Sequence, residues 1–176
     1  MGVNIEIERK YIAHKPDIEL LRMQKNFTES QIVQTYLRSE SGETRRVRCR
    51  RYSDRTQYTE TRKIRIDAMS VTEIEREIDV QEYERLCLDI ADGTRPVEKS
   101  RYTFEYLGQI FELDFYPRWE RSCILETEME SRDCVVKFPE FIEIIREVTG
   151  DKRYSNAAMS RAFLAEDNAQ TSDNDK

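Results

Sequence analysis

Ile5-Glu6-Ile7-Glu8-Arg9-Lys10 sets two carboxylates and an ammonium at every second position. A strand sends alternate side chains to opposite faces, so residues at i, i+2 and i+4 share one face at roughly 6.5–7 Å intervals. In a strand over residues 2–12, Val3, Ile5 and Ile7 then lie opposite Glu6, Glu8 and Lys10. The alternation returns later in the chain with either sign of charge. Ionic groups of both signs thus collect on one side of a sheet. Two carboxylates and an ammonium in a row suit a divalent metal and a phosphate held side by side.

Outward from this strand, Pro16 opens a short helix carrying Ile18, Leu21 and Met23. Residues 31–38 read as a strand ending at the Ser41-Gly42 turn, and 44–51 and 56–66 as a hairpin around Ser53-Asp54. Residues 71–79 alternate again. A helix carrying Tyr83, Leu86, Cys87 and Ile90 follows and stops near Asp92-Gly93. Residues 95–106 and 109–116 form a hairpin around Leu107-Gly108, and 123–130 give an eighth strand. Helices are expected over 138–148, ended by Gly150, and over 157–164. The polar segment 166–176 reads as a disordered tail to a single domain, 1–165. Hairpin-linked strands make the sheet mainly antiparallel.

Composition bounds the class. The 176 residues suit one domain able to bury a core; 36% are charged and the net charge is −6. Nine Tyr and seven Phe supply the apolar bulk that disordered chains lack. No apolar run approaches the roughly 20 residues of a membrane span, and there is no signal-peptide core. Cys49, Cys87, Cys123 and Cys134 lack any C-x-x-C spacing and read as free thiols of a cytoplasmic protein. Net acidity argues against a nucleic-acid partner, and nothing points to a membrane partner.

Sorting each strand by parity sorts the charges by sign. Glu6/Glu8, Glu75/Glu77, Glu112/Asp114 and Glu126/Glu128 form acidic faces. Arg48/Arg50, Lys63 beside Thr61, and Lys99/Arg101 form basic ones, and Lys10 ends the first acidic strand. Opposite parities are often apolar (Phe111, Leu113, Phe115), although Arg51, Glu60, Arg62 and Arg76 break the pattern. A sheet with one buried and one solvated face explains the alternation but not why whole strands carry one sign. Eight strands are enough to close a barrel. With the charges inside, the basic set contributes +6 and the acidic set −8; two divalent cations would bring the empty face from −2 to +2. Such a face attracts a polyanion once metals have entered, which points to phosphoryl chemistry.

At this point the chain resembles the CYTH, or triphosphate tunnel metalloenzyme, family. Residues 5–10 match its E-x-E-x-K signature, Val47-Arg48-Cys49-Arg50-Arg51 its R-x-R strand, and Thr61-Arg62-Lys63 its T-x-K. Glu75-Arg76-Glu77, Lys99-Ser100-Arg101, Glu112-Leu113-Asp114 and Glu126-Thr127-Glu128 follow in the family's order, and residues 147–156 are similar to the C-terminal segment of its bacterial members. The resemblance implies an α+β fold: a closed tunnel of eight antiparallel strands, charged inside and flanked by helices. It also implies hydrolysis of a triphosphate with Mg²⁺ or Mn²⁺, two ions per site.

Carried over by position, Glu6, Glu8 and Glu128 are metal ligands with Glu126 close by. Lys10, Arg48, Arg50, Lys63, Lys99 and Arg101 hold phosphates, while Glu75, Glu77 and Asp114 serve a second metal or the attacking water. Lys10 and Lys63 join that catalytic set as compact charges near the leaving oxygen. No G-x-x-x-x-G-K is present, so side chains must bind the phosphates. His14, the only histidine, and Trp119 read as structural. Inorganic triphosphate is the leading substrate. Thiamine triphosphate or nucleotide hydrolysis, or cyclic AMP formation, are rivals in the same tunnel, and a noncatalytic polyphosphate- or phosphoprotein-binding module is the rival of another class.

Overall fold

A computed structural model describes residues 7–65, 71–129, 131 and 134–174. Glu6, with Val3 and Ile5, lies outside them. The chain divides into two compact units: Met1–Gln31 with Glu98–Asp151, and Ile32–Val97 with Lys152–Lys176.

The first unit holds β1 (Ile7–His14), α1 (Ile18–Arg22), the start of β2 (Lys25–Leu37), most of β6 (Val97–Tyr106), then β7 (Gln109–Phe115), β8 (Ser122–Met129) and β9 (Ile144–Glu147). Its strand order is β2-β6-β7-β8-β1-β9, antiparallel at each pairing whose register is resolved. Asp17 caps α1 by accepting from the Glu19 amide at 3.0 Å. Tyr102, Phe104, Phe111, Leu113, Cys123, Leu125 and Tyr11 form the core on one face of the sheet, the parity read from the sequence.

The hairpin at Leu107-Gly108 is tight, with Tyr106 paired to Gln109. Both central residues take positive φ, 50° and 80°, as a two-residue turn matched to strand twist requires. Gly108 does this freely, whereas Leu107 pays a left-handed penalty with its side chain mostly exposed. Leu107→Asn should raise unfolding stability by roughly 1 kcal/mol, read as a higher urea midpoint at unchanged slope.

The second unit holds the end of β2, then β3 (Glu43–Arg51), β4 (Thr56–Arg65), β5 (Val71–Glu77), α2 (Val80–Cys87) and α3 (Asn156–Asn174), in strand order β5-β4-β3-β2. Asp79 caps α2 through the Glu82 amide at 2.8 Å. Leu37, Val47, Ile78 and Leu86 form its core, with Tyr58, Tyr83 and Cys87 packed against them. α3 extends through 166–174, where composition alone suggested a disordered tail.

The expected C-terminal helix changes. Residues 138–148 are not a helix: Ile144–Glu147 form β9, pairing antiparallel with β1. Val148 N–H donates to Lys10 O at 2.8 Å and His14 N–H to Glu143 O at 2.9 Å. Apolar residues at 138, 141, 142 and 145 mimic helical spacing, but Pro139 disfavours helix at Phe138, and β1 otherwise exposes an unpaired edge. Hydrogen bonding among the described residues leaves β9 at the end of the first unit's sheet and β5 at the end of the second's, which does not confirm a closed barrel. The observed class is a strand-dominated antiparallel α+β fold.

Candidate active site

In the first unit, register gathers the expected charges on the face opposite the aromatic core. Glu8 stands across from Glu128, Lys10 from Glu126, Glu126 from Glu112, and Asp114 from Arg101. Lys10 Nζ lies 2.7 Å from Glu126 and 3.5 Å from Glu8. Burial and the nearby Glu126 charge raise the Glu8 carboxyl, with Lys10 opposing. Burial works against the Lys10 charge, but Glu126 and Glu8 outweigh it and raise its pKa.

Deeper on the same face, Asp114 is 0% exposed. It accepts from Arg101 Nε at 2.6 Å and Nη2 at 2.7 Å, and from Lys99 Nζ. Arg101 also donates to Glu126 at 2.9 Å and to Glu112. Burial would raise the Asp114 carboxyl, yet Lys99 and Arg101 hold it well below the usual carboxylate range. Burial, with Arg101 adding and Asp114 opposing, pushes Lys99 down to about 8. Asp114 thus acts on Lys99 and Arg101: both of its oxygens fix the two cations.

Hard oxygen donors suit Mg²⁺ or Mn²⁺. Like charges directly opposite on paired strands repel, and Glu8 and Glu128 are so placed; a divalent cation there would relieve that repulsion. No three acidic, His or Cys side chains converge on one point among the described residues, which exclude Glu6.

In the second unit, β3, β4 and β5 build another charged face. The rows are Arg48–Thr59–Glu77, Arg46–Thr61–Glu75 and Thr44–Lys63–Glu73, with Arg50 beyond them across from Gln57. Thr61 donates to Glu75 at 2.8 Å, Lys63 lies 2.6 Å from Glu73, and Arg46 lies 3.6 Å from the same carboxylate. Arg50 sits over the Tyr52 ring at 4.9 Å. Arg48 donates to Gln34 at 3.3 Å. Arg46 and Glu73 went unnoticed in the sequence, although each is one i, i+2 step before a recognised pair. Arg46 Nε and Thr59 Oγ1 are buried on this face with no hydrogen-bond partner among the described residues, donors placed where an anion could use them.

Of the charges that break the parity pattern, Glu60, Arg62 and Arg76 pair on the other face. Glu60 accepts from Arg45 at 2.7 Å and Arg76 at 2.9 Å, Arg76 reaches Glu82 at 2.7 Å, and Arg62 reaches Glu43 at 2.5 Å. Burial would raise the Glu60 carboxyl, but Arg45 and Arg76 hold it below its ordinary 4.5. In acid the unfolded chain protonates this group before the folded one does, so its contribution is full above about pH 4.5 and fades as pH falls further. Glu60→Gln should lower the urea midpoint at pH 6 and flatten its fall towards pH 3. Glu60→Ala should cost roughly 1–3 kcal/mol at neutral pH, the scale for losing hydrogen bonds to charged partners that remain partly exposed.

Other residues are peripheral. His14 is half-exposed, 3.8 Å from Glu143, and Trp119 packs on Tyr116 at 5.2 Å. Cys49 is buried on the parity opposite Arg48, and all four cysteines are free. No helix among the described residues is long and apolar enough to cross a membrane.

No family model matches the chain. It is 36% identical over 165 residues to an inorganic triphosphatase of Nitrosomonas europaea, covering 88% of this chain and 96% of that one. It is 42% identical over 62 residues to an inorganic triphosphatase of Acetivibrio thermocellus, 35% of this chain and 38% of that one. A crystal structure of an inorganic triphosphatase aligns with a TM-score of 0.58 and 29% identity, over 92% of this chain and 97% of that one.

Proposed function

The chain belongs to the CYTH, or triphosphate tunnel metalloenzyme, family on its inorganic-triphosphatase side, and from that premise we propose that it hydrolyses inorganic triphosphate to pyrophosphate and phosphate with Mg²⁺ or Mn²⁺. The proposal includes the closed, eight-stranded charged tunnel that the family resemblance implies. The observation that carries it is Lys10 held between Glu8 and Glu126 on the strand pair that sets Glu128 opposite Glu8. Carboxylates for a metal and a cation for a phosphate are interleaved there within single hydrogen-bond distances.

Glu8, Glu126 and Glu128, with Glu6, would hold the metal, which when bound offsets substrate charge and polarises phosphoryl oxygens. Lys10, Arg48, Arg50, Lys63, Lys99 and Arg101 bind the phosphates; guanidinium forks clasp two oxygens each, and ammoniums place compact charge. Asp114 keeps Lys99 and Arg101 aimed before substrate arrives, so little reorganisation is left for the reaction itself. Glu75 and Glu77 border the arginine rows as candidates for a second metal or for orienting the attacking water. The water attacks a terminal phosphorus in line with the bridging oxygen, and pyrophosphate leaves.

Phosphate release from inorganic triphosphate should be rapid with Mg²⁺ or Mn²⁺ and fall to background after chelation, returning when metal is restored. Equal rates in excess chelator would remove the metal from the account.

A further inference from the structure

The last rung between β1 and β9 is made by a side chain. An antiparallel rung would return the Lys10 N–H to the carbonyl of Val148, whose own N–H donates to Lys10 O at 2.8 Å. That carbonyl is engaged elsewhere: it accepts from Asp151 N–H at 3.0 Å, closing a turn over Thr149 and Gly150 in which Gly150 takes φ 76°. The Thr149 hydroxyl fills the place, accepting from Lys10 N–H at 3.0 Å. Its single proton goes to Glu147 Oε1 at 2.7 Å, a better bond than the 3.4 Å approach to Lys10 O. Glu147 thereby leaves a lone pair of the hydroxyl facing the amide.

This rung falls on the lysine whose ammonium lies 2.7 Å from Glu126 and 3.5 Å from Glu8. Both main-chain polar groups of Lys10 bond to residues 148 and 149, and the buried Val148 side chain anchors that segment. A water can satisfy the Lys10 amide but does not tie it to β9. A long stem places its ammonium only as well as its own backbone is held, and small displacements at a reacting centre are costly in rate.

We propose that Thr149, oriented by Glu147, is a positioning residue for the reaction: it holds the backbone of Lys10 so that the ammonium meets the substrate phosphate in register. The proposal rests on the triphosphatase reading. It is tested with Thr149→Val, which keeps the branched shape without the hydroxyl, and Thr149→Ser, which keeps the hydroxyl. Thr149→Ala carries the same comparison should the valine variant prove unstable. Melting temperature, turnover of inorganic triphosphate and hydrogen exchange at the Lys10 amide by NMR are recorded for each full-length protein.

Thr149→Val should lower kcat/KM about tenfold, with Thr149→Ser within about twofold of wild type. The Lys10 amide should exchange about tenfold faster in the valine variant and near the wild-type rate in the serine variant. In a Lys10→Met background, assayed on its residual turnover, Thr149→Val should change kcat/KM by less than about twofold, since the ammonium through which it acts is gone. A valine variant within about twofold of wild type, a serine variant as damaged as the valine, or an equal loss with and without the Lys10 ammonium would overturn the proposal. So would unchanged exchange at the Lys10 amide. Failure of the unsubstituted protein to turn over triphosphate would instead sink the functional reading, with the exchange result unaffected.

Discussion

Glu8→Gln and Glu128→Gln should each lower kcat for inorganic triphosphate by about 10²-fold or more while leaving the protein folded. Both side chains are substantially exposed and stand opposite one another on β1 and β8. Removing one charge relieves the Glu8–Glu128 repulsion, so the melting temperature should hold or rise slightly. Turnover should collapse because an amide is a poor substitute for a charged oxygen donor to a hard cation, and electrostatic stabilisation at a phosphoryl centre is worth several kcal/mol. Raising Mg²⁺ or Mn²⁺ should recover part of the rate if the loss is one of metal affinity. Near-normal kcat in both variants at ordinary metal concentration would remove these carboxylates from the metal site.

Arg50→Ala and Lys63→Ala should reduce kcat/KM for triphosphate by about 10²-fold, whereas Arg62→Ala should change it by less than about threefold. Lys63 and Arg62 are neighbours in sequence and nearly equal in exposure, 43% and 47%. Their difference is the face: Lys63 shares its side of β4 with Thr61 and with the Arg46, Arg48 and Arg50 side of β3, while Arg62 is paired with Glu43 on the reverse. The expected cost of Arg62→Ala is a small loss of stability, as for other exposed ion pairs. Kinetics of the three variants side by side would expose a wrong register, since Arg62 would then be the most damaging loss.

That contrast was legible in the sequence because a strand's period of two is unforgiving: Phe111 and Leu113 must leave the face of Glu112 and Asp114. Parity also carried the Glu8–Lys10 and Glu126–Glu128 faces to their observed partners. It did not reveal β9, because a short apolar run spaced like a helix is settled by the free edge it meets, here β1. Nor did it reveal Thr149, since a neutral side chain just past β9 gives no charge pattern and its place beside Lys10 comes from the turn that follows. Arg46 and Glu73 were within reach of the same rule taken one step further. The reverse-face ions break the parity rule for a physical reason, since Glu60 serves Arg45 and Arg76 together.

The claim that the site recognises the triphosphate itself is tested most directly by giving the purified protein inorganic triphosphate and ATP side by side with Mg²⁺ and with Mn²⁺. Products would be resolved by phosphorus NMR. Cyclisation would require the nucleoside to be gripped with its 3′-hydroxyl aimed at the α-phosphorus, whereas the charged faces present cations suited to phosphates. The account predicts a higher kcat/KM for inorganic triphosphate, with one phosphate and one pyrophosphate per turnover. Cyclic AMP as the main product from ATP, with little hydrolysis of inorganic triphosphate, would contradict it.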